Sequence, residues 1–314
     1  MKIVFAESIG ITESRKSEFM LEMRDLGHEV LFFDTPVSDQ AELQARSTDA
    51  DVLVLSNQSL SANTINNLSK LKLISVAFTG VDHLPIDYCR DRQITVCNAA
   101  GYSTFAVAEL TISMAISLYR KIAELNNDVR RCKTRSGFLG RELHGKTFGI
   151  VGLGAIGERV AQLANAFGCK VIAYTRTPKN ISGVELVALD ELFRSADIVS
   201  LHIPATSQTV GLVNDKLIGL MNPEAILVNT ARGTLVDYSA LSLALKNKSI
   251  AGAAIDVYEH EPPIESDHPL FSAPNTLLLP HVGYATREAI DGRTDIVLDN
   301  IRFWLKGNPR NVIV

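Results

Sequence analysis

The sequence has no excess of basic residues and no long apolar run, and each shortage excludes a class of protein. Its 31 Lys and Arg residues against 35 Asp and Glu give a net charge of −4, whereas a protein that binds nucleic-acid phosphates usually has a basic surface. The longest mostly apolar stretch, residues 106–119, is interrupted by Glu109 and is too short for a membrane span of about 20 residues. We therefore expect neither a nucleic acid nor a membrane among its partners.

Cysteine is scarce, and its placement suggests neither disulfides nor a metal site. The chain has no C-x-x-C pair, and its four cysteines are Cys89, Cys97, Cys132 and Cys169. His260, His268 and His281 lack the spacing of zinc ligands, so we expect no metal ion. The apolar run in residues 1–7 is too short for the core of a signal peptide, which favours reduced thiols and a cytoplasmic protein. The G-x-S-x-G and Walker patterns are also missing.

What the chain does contain is a globular composition with a repeated alternation of strands and helices. Its 314 residues are 46% hydrophobic and 21% charged, which is enough for two folded domains. Short apolar, β-rich runs recur between helical patterns, at residues 2–6, 29–33, 51–55, 73–77, 94–97, 147–151, 170–174, 198–202, 225–229, 251–255 and 276–279. Such alternation is typical of parallel sheets covered by helices on both faces. The expected fold class is α/β, with two doubly wound parallel-sheet domains.

Two longer helical patterns interrupt and close this alternation. Residues 104–131 contain no Gly or Pro, and Ile112, Ile116, Tyr119 and Ile122 fall on one apolar stripe. This pattern predicts one continuous helix. A second helix is predicted over residues 287–305, before Gly307 and Pro309.

A glycine-rich turn, residues 152–157, follows the predicted strand 147–151 and opens a helix. Gly152, Gly154 and Gly157 match G-x-G-x-x-G, in which the glycines permit a tight turn, backbone approach to a pyrophosphate and close helix packing. The pyrophosphate lies at the helix N-terminus, beside Ala155 and Ile156, where free N–H groups favour an anion. The pattern predicts a dinucleotide site, although a glycine-rich turn alone is also found as a simple turn.

The second strand of this domain ends without the acidic residue that usually binds the ribose of NAD. Residues 170–174 run into Thr175, Arg176 and, three residues further on, Lys179. One interpretation is a solvated surface loop, and the other is a pocket for the 2′-phosphate of NADP. We expect NADP or NAD as the cofactor, with NADP favoured.

Three further strand ends carry ionisable side chains, and ligands of parallel sheets bind at such ends. Arg232 follows residues 225–229 and has the planar fork that grips a carboxylate, although a lone Arg is more often a surface residue. Glu261 follows residues 251–255, and His281 follows residues 276–279. A Glu paired with a His suits acid–base chemistry, whereas each alone is more often a structural loop residue. Glu261 is preferred over Glu259 because Pro262 restricts its backbone.

Taken together, these segments resemble the D-2-hydroxyacid dehydrogenase family over nearly the whole chain. The resemblance rests on residues 151–157, 201–204, 229–233, 256–262 and 279–283, an ordered set that is more specific than any one motif. It implies that the catalytic residues are Arg232, Glu261 and His281. It also implies that the cofactor contacts Gly152, Gly154, Ala155, Ile156, Gly157, His202, Pro204, Thr230, Ala231, Asp256, His281 and Gly283, and that the substrate contacts Gly80, Val81 and Arg232. The chain departs from the NAD-using members of the family at Thr175 and Arg176, where those members carry an acid, and these two residues are expected cofactor contacts from the strand end itself.

The resemblance further implies the domain organisation and the reaction. A Rossmann cofactor domain, residues 99–284, is expected as an insertion in a flavodoxin-like substrate domain, residues 1–98 and 285–314, and the protein is expected to be a homodimer. The implied reaction is hydride transfer between a nicotinamide cofactor and C2 of a small D-2-hydroxy or 2-keto acid. A different class stays open, because some relatives of this fold act as dinucleotide-sensing corepressors without turnover.

Overall fold

The computed structural model describes residues 1–135, 137–261 and 263–314, which form two compact units. The first unit consists of Met1–Ser103 and Ala285–Val314, and the second of Thr104–Tyr284. The sequence predicted the first boundary at residue 98. Residues 99–103 belong to the first unit, in which the Ala99 N–H donates to the carbonyl of Phe78.

The first unit is a five-stranded parallel sheet with helices on both faces. Its strands, in spatial order, are β2 (Glu29–Phe32), β1 (Lys2–Phe5), β3 (Val52–Leu55), β4 (Leu73–Val76) and β5 (Thr95–Cys97). Its helices are α1 (Glu13–Asp25), α2 (Gln40–Ser47), α3 (Ala62–Asn67), α4 (Ile86–Asp91) and α11 (Arg287–Leu305). The order 2-1-3-4-5 is that of flavodoxin-like folds.

Residues alternate between the two faces of this sheet, as the pleat of a strand requires. Ile3 and Phe5 pack with residues of α1 and α11, including Phe19 and Val297. Val4 lies in the opposite cluster, with residues of α2 and α3. The last helix of the chain therefore completes a core that begins with the first strand.

The second unit is a seven-stranded sheet, also parallel at every described pairing. Its spatial order is β12 (Thr276–Leu278), β11 (Gly252–Ile255), β10 (Ile226–Asn229), β9 (Ile198–Leu201), β6 (Thr147–Val151), β7 (Lys170–Tyr174) and β8 (Val184–Leu186). Its helices are α5 (Thr104–Arg120), α6 (Ile122–Arg130), α7 (Ala155–Ala166), α8 (Leu189–Ser195), α9 (Asp215–Ile218) and α10 (Tyr238–Lys246). The strand order is that of a Rossmann fold extended by one strand.

The helix predicted over residues 104–131 is divided, so that part of the prediction was wrong. Lys121 adopts a left-handed conformation with φ of 49°, and α5 ends before it while α6 begins after it. α5 packs on the sheet through Ala108, Ile112 and other buried residues, whereas α6 has no buried residue. The apolar stripe of α6 is therefore left on the surface of the unit.

Within the described residues, no helix has the length and apolar character needed to cross a membrane. No group of three or more His, Cys, Asp or Glu side chains in the same described part of the chain is arranged to hold a metal ion.

Candidate functional site

The glycine-rich turn between β6 and α7 requires glycine at two of its three glycine positions and has open space at the third. Gly152 has φ of 102°, and a Cβ there would lie 2.6 Å from the carbonyl oxygen of His202. A Cβ at Gly157 would overlap the carbonyl oxygen of Gly152. Gly154 is the N-cap of α7, and a Cβ there would meet no atom within 4 Å. The turn is thus closed by protein on two sides and open at the N-terminus of a 12-residue helix, which fits an anion.

β9 is the neighbour of β6 on one side of this turn, and β10 is the next strand beyond β9. His202 Nε2 lies 2.6 Å from the Ser200 hydroxyl oxygen. Burial lowers the pKa of His202 to about 3, so the imidazole is neutral at neutral pH. Pro204 follows in the same loop. After β10, the Thr230 hydroxyl lies 3.0 Å from the Thr111 hydroxyl, and the Ala231 N–H donates to the Asn229 side chain.

At the end of β7, the two predicted cationic residues lie in different environments. The Thr175 hydroxyl donates to the carbonyl of Thr177 at 3.3 Å. Arg176 is exposed, and its guanidinium forms no hydrogen bond with any residue that the structure describes. Lys179 lies 3.4 Å from the carboxylate of Glu158, on the helix that follows the glycine-rich turn. The two cations are therefore not equivalent, because Lys179 already has an acidic partner and Arg176 has none in the described part of the chain.

Arg232 is held by a loop that packs directly on the segment leading to Glu261. The Asn229 amide donates to the Arg232 carbonyl at 2.9 Å, and the half-buried guanidinium donates to the Ala231 carbonyl at 2.8 Å. A Cβ on the next residue, Gly233, would overlap the carbonyl group of Tyr258. The backbone of Gly233 thus contacts the backbone of Tyr258, and this contact fixes the distance between the loop of Arg232 and the segment that leads to Glu261.

His281 and Glu261 form a close pair at the ends of β12 and β11. The distance from His281 Nδ1 to Glu261 Oε1 is 2.6 Å, and both side chains keep some exposure, 35% and 21%. The backbone of His281 has φ of 54°, a left-handed conformation that residues other than glycine rarely adopt. Pro262, used above to prefer Glu261, lies outside the described residues.

Asp256 holds the His281 loop through its carboxylate. Its Oδ1 accepts from the Val282 N–H and its Oδ2 from the Gly283 N–H, both at 2.8 Å. Burial raises the pKa of Asp256, and these two backbone hydrogen bonds oppose that rise. The sequence suggested Asp256 as a cofactor contact but gave no sign that it anchors this loop.

A second Glu–His pair was missed by the sequence reasoning. The His268 ring is buried, with Nε2 3.2 Å from Glu259 Oε2, and it packs edge-on against Tyr238 and Tyr258. The Tyr238 hydroxyl also donates to the Val257 carbonyl at 2.6 Å. The sequence feature that could have indicated this pair is the presence of two acids, Glu259 and Glu261, in one short loop. Glu259 contacts His268, and Glu261 contacts His281.

The predicted substrate loop lies in the first unit, after β4. The Asn98 amide donates to the carbonyl of Thr79 at 2.7 Å, and the carbonyl of Val81 accepts from the Leu84 N–H at 3.0 Å. Gly80, between them, is half-buried. This loop is therefore held in shape by hydrogen bonds within its own unit.

Comparison with known proteins bears on the site just described. A family model described as "D-isomer specific 2-hydroxyacid dehydrogenase, NAD binding domain" matches residues 112–283, more than half of the chain. The chain belongs to this family. A D-2-hydroxyacid dehydrogenase exchanges a hydride between a nicotinamide cofactor and C2 of a 2-hydroxy or 2-keto acid, and this is the reaction class of the chain.

Several known proteins are similar to this chain over most of its length. The glyoxylate reductase of Thermococcus litoralis is 38% identical over 283 residues, 86% of this chain and 85% of that protein. The D-3-phosphoglycerate dehydrogenase of Methanocaldococcus jannaschii is 40% identical over 280 residues, 87% of this chain, but the match spans only 53% of that protein. A solved acyclic imino acid reductase in complex with NADPH and D-Arg is 32% identical, with a TM-score of 0.90 over 100% of both chains. None of these relatives supports the corepressor alternative.

Gly233→Ala is expected to destabilise this dehydrogenase strongly, because the new Cβ meets the backbone of Tyr258 rather than a movable side chain. The loss should be at the upper end of, or above, the roughly 1–3 kcal/mol that is usual for overpacking. Thermal melting measures it. Gly292→Ala in α11 is the matched control, since its Cβ meets nothing within 4 Å and a helical Ala gains about 1 kcal/mol. A Gly233→Ala protein that melts at the wild-type temperature would contradict the close approach.

Proposed function

We propose that the chain is an NAD(P)-dependent D-2-hydroxyacid dehydrogenase in which Arg232, Glu261 and His281 are the catalytic residues. The observation that carries the proposal is the 2.6 Å contact of His281 Nδ1 with Glu261 Oε1. Three neighbouring strand ends, those of β10, β11 and β12, supply the three residues. Arginine, carboxylate and imidazole at one sheet edge are the groups that reduction of a keto acid requires.

The bound nicotinamide supplies the hydride, and the protein supplies orientation and a proton. Arg232 binds the carboxylate of the substrate through its planar fork. His281 donates a proton from Nε2 to the C2 oxygen on reduction and takes it back on oxidation. Glu261 accepts from Nδ1–H, so it fixes the ring and stabilises the imidazolium. Such acid–base assistance is worth about 10²–10⁴ in rate.

The second unit holds the cofactor in this proposal. Gly154, Ala155 and Ile156, at the open N-terminus of α7, would hold the pyrophosphate, and Gly152 and Gly157 shape the turn. The other proposed contacts lie at further strand ends of the same sheet: Thr175, Arg176, His202, Pro204, Thr230, Ala231, Asp256, His281 and Gly283. The fit rests on the space at Gly154, where a Cβ would meet no atom of the described residues within 4 Å.

The first unit binds the substrate, through Gly80 and Val81. Backbone N–H groups of this loop are suited to the carboxylate of a 2-keto acid. Small acids are indicated by the names of the relatives, which include a glyoxylate reductase. We also propose a cytoplasmic location, which the four free cysteines support.

A homodimer is the oligomeric state that we propose. The surface helix α6 has no buried residue, and Ile122 and Val129 are 50% and 69% exposed. Leu139, a little further along the chain, is 81% exposed. Apolar side chains grouped in this way are typical of a surface that another subunit covers. A second copy of the chain is the partner that the family resemblance implies.

Arg232→Lys is expected to lower kcat/KM nearly as much as Arg232→Ala, because an ammonium cannot form two parallel hydrogen bonds to a carboxylate. Steady-state reduction of a panel of 2-keto acids gives the rates, and cofactor fluorescence gives the binding constant, which should change little. Near-normal kcat/KM in the Lys variant would remove Arg232 from the mechanism.

His281→Ala should lower kcat by about 10²–10⁴ through loss of the proton donor.

NADPH is expected to be preferred over NADH, because Arg176 is exposed, has no partner among the described residues and can bind a 2′-phosphate. One charge-assisted hydrogen bond of about 1.5–3 kcal/mol corresponds to roughly 10- to 100-fold in affinity. Arg176→Ala should erase most of the preference, measured as the ratio of kcat/KM for the two cofactors. Arg194→Ala, on α8 and paired with Asp190, is the surface control. A wild-type preference for NADH would sink this part of the proposal.

Val129→Glu is expected to shift the protein from dimer to monomer, because it places a charge on the exposed apolar stripe of α6, near the C-terminal end of that helix. Sedimentation velocity at several concentrations reports the mass. Leu243→Glu is the control, since Leu243 is 60% exposed on another helix, α10. A wild-type protein that sediments as a monomer would show that the homodimer is wrong.

A further inference from the structure

The hydroxyl of Tyr238 connects the loop that carries Arg232 with the segment that leads to Glu261. It accepts a hydrogen bond from the Asn229 amide at 3.2 Å and donates one to the Val257 carbonyl at 2.6 Å. The same Asn229 amide donates to the Arg232 carbonyl at 2.9 Å. One continuous line of hydrogen bonds therefore runs from the backbone of Arg232, through the hydroxyl, to the backbone of Val257.

The residues that supply this line of hydrogen bonds on either side of Arg232 are buried. Asn229 and Val257 are 0% exposed and Tyr238 is 1% exposed, so bulk water cannot replace a lost partner. Burial also raises the pKa of Tyr238 well above its usual value, and the hydroxyl therefore stays protonated. Its single proton goes to the Val257 carbonyl, and its oxygen accepts from Asn229. The direction of each hydrogen bond is thus fixed.

The position of Tyr238 is set by a helix cap and by aromatic packing. It is the first residue of α10, directly after the N-cap Asp237, whose side chain accepts from the Ala240 N–H at 2.9 Å. Its ring packs against the ring of His268, with the centroids 5.2 Å apart. The hydroxyl is therefore a fixed point between the two backbone segments.

The two segments that the hydroxyl joins carry the proposed catalytic groups. Arg232 lies three residues after the end of β10, and Val257 lies four residues before Glu261. Asp256, the neighbour of Val257, accepts hydrogen bonds from the N–H groups of the two residues after His281. A shift of about 1 Å at a catalytic group can lower a rate by about 10²-fold, so the spacing of these segments matters for the reaction.

We propose that Tyr238 is a positioning residue whose hydroxyl sets the distance between the Arg232 guanidinium and the His281 imidazole. A keto acid held by the guanidinium is then within reach of the imidazole proton. In this role the hydroxyl touches neither substrate nor cofactor, and it acts through the two backbone segments. This inference rests on the proposed function, because Arg232 and His281 have these roles only in the dehydrogenase reaction.

Tyr238→Phe removes the hydroxyl and keeps the ring, and Tyr119→Phe is its matched control. Tyr119 is also buried, and its hydroxyl donates to a backbone carbonyl, that of Asp197, at 3.2 Å. Asp197 precedes β9 at the amino end of the same sheet, whereas Val257 follows β11 at the carboxyl end. Both variants should lose similar stability in thermal melting. Only Tyr238→Phe should lower kcat/KM for the panel of 2-keto acids, by about 10- to 100-fold, with little change in the dissociation constant of the cofactor.

Dependence on Arg232 separates positioning from a merely structural role. In the Arg232→Lys protein, Tyr238→Phe should have little further effect on kcat/KM, because the contact that the hydroxyl positions is already lost. Equal losses in the wild-type and Arg232→Lys backgrounds would overturn the role of Tyr238. If Tyr238→Phe does not fold, Asn229→Ala breaks the same line of hydrogen bonds at its other end, and the same loss and the same dependence on Arg232 are expected of it.

The remaining outcomes separate this role from the proposed function. Wild-type kcat/KM in Tyr238→Phe, or an equal loss in Tyr119→Phe, would overturn the role of Tyr238 and leave the dehydrogenase standing. A wild type that reduces no 2-keto acid of the panel would overturn both.

Discussion

The carboxylate of Asp256 joins the ends of two strands, and the geometry of the proposed catalytic groups depends on it. Asp256 is 1% exposed, so water hardly reaches its carboxylate. Its two oxygens accept hydrogen bonds from the N–H groups of Val282 and Gly283 instead. A buried carboxylate is tolerated only when such donors replace water. The result is that the backbone immediately after His281 has a fixed position relative to β11, from which Glu261 also comes. Asp256 thus restrains the backbone next to His281, whose side chain contacts Glu261.

The two acids of residues 259–261 illustrate how one loop serves two purposes. Glu259 pairs with His268, whose ring is buried among aromatic side chains, while Glu261 pairs with the partly exposed His281. The buried pair keeps the loop in place, and the exposed pair faces water, where a substrate can reach it. The contact of Gly233 with Tyr258 adds a third restraint, since it brings the Arg232 loop against the same segment.

Much of the fold was predictable because the strands are buried on both faces and read as short apolar runs. β8 was missed, since it has only three residues, none of them buried. The break at Lys121 left no trace in the sequence, because a lysine in a left-handed conformation replaces the glycine that usually marks such a point. The residues at the strand ends were identifiable from the order of the motifs. Long-range partners such as Asp256 with Val282, or Glu7 with Ser56, were not, because hydrogen bonds between loops depend on the register of the whole sheet.

The division of the first unit between the two ends of the chain has a consequence for synthesis on the ribosome. Domains tend to fold as units during synthesis, with earlier segments folding first. Here, however, the hydrophobic core around β1 needs Val297 and Ile301 of α11, and β5 is extended by backbone pairing with residues 312–314. Residues 1–103 therefore emerge first but complete their packing last, after the contiguous second unit has had time to fold. For most of its translation the nascent chain therefore exposes one face of the first sheet, and α11 covers that face when it is made.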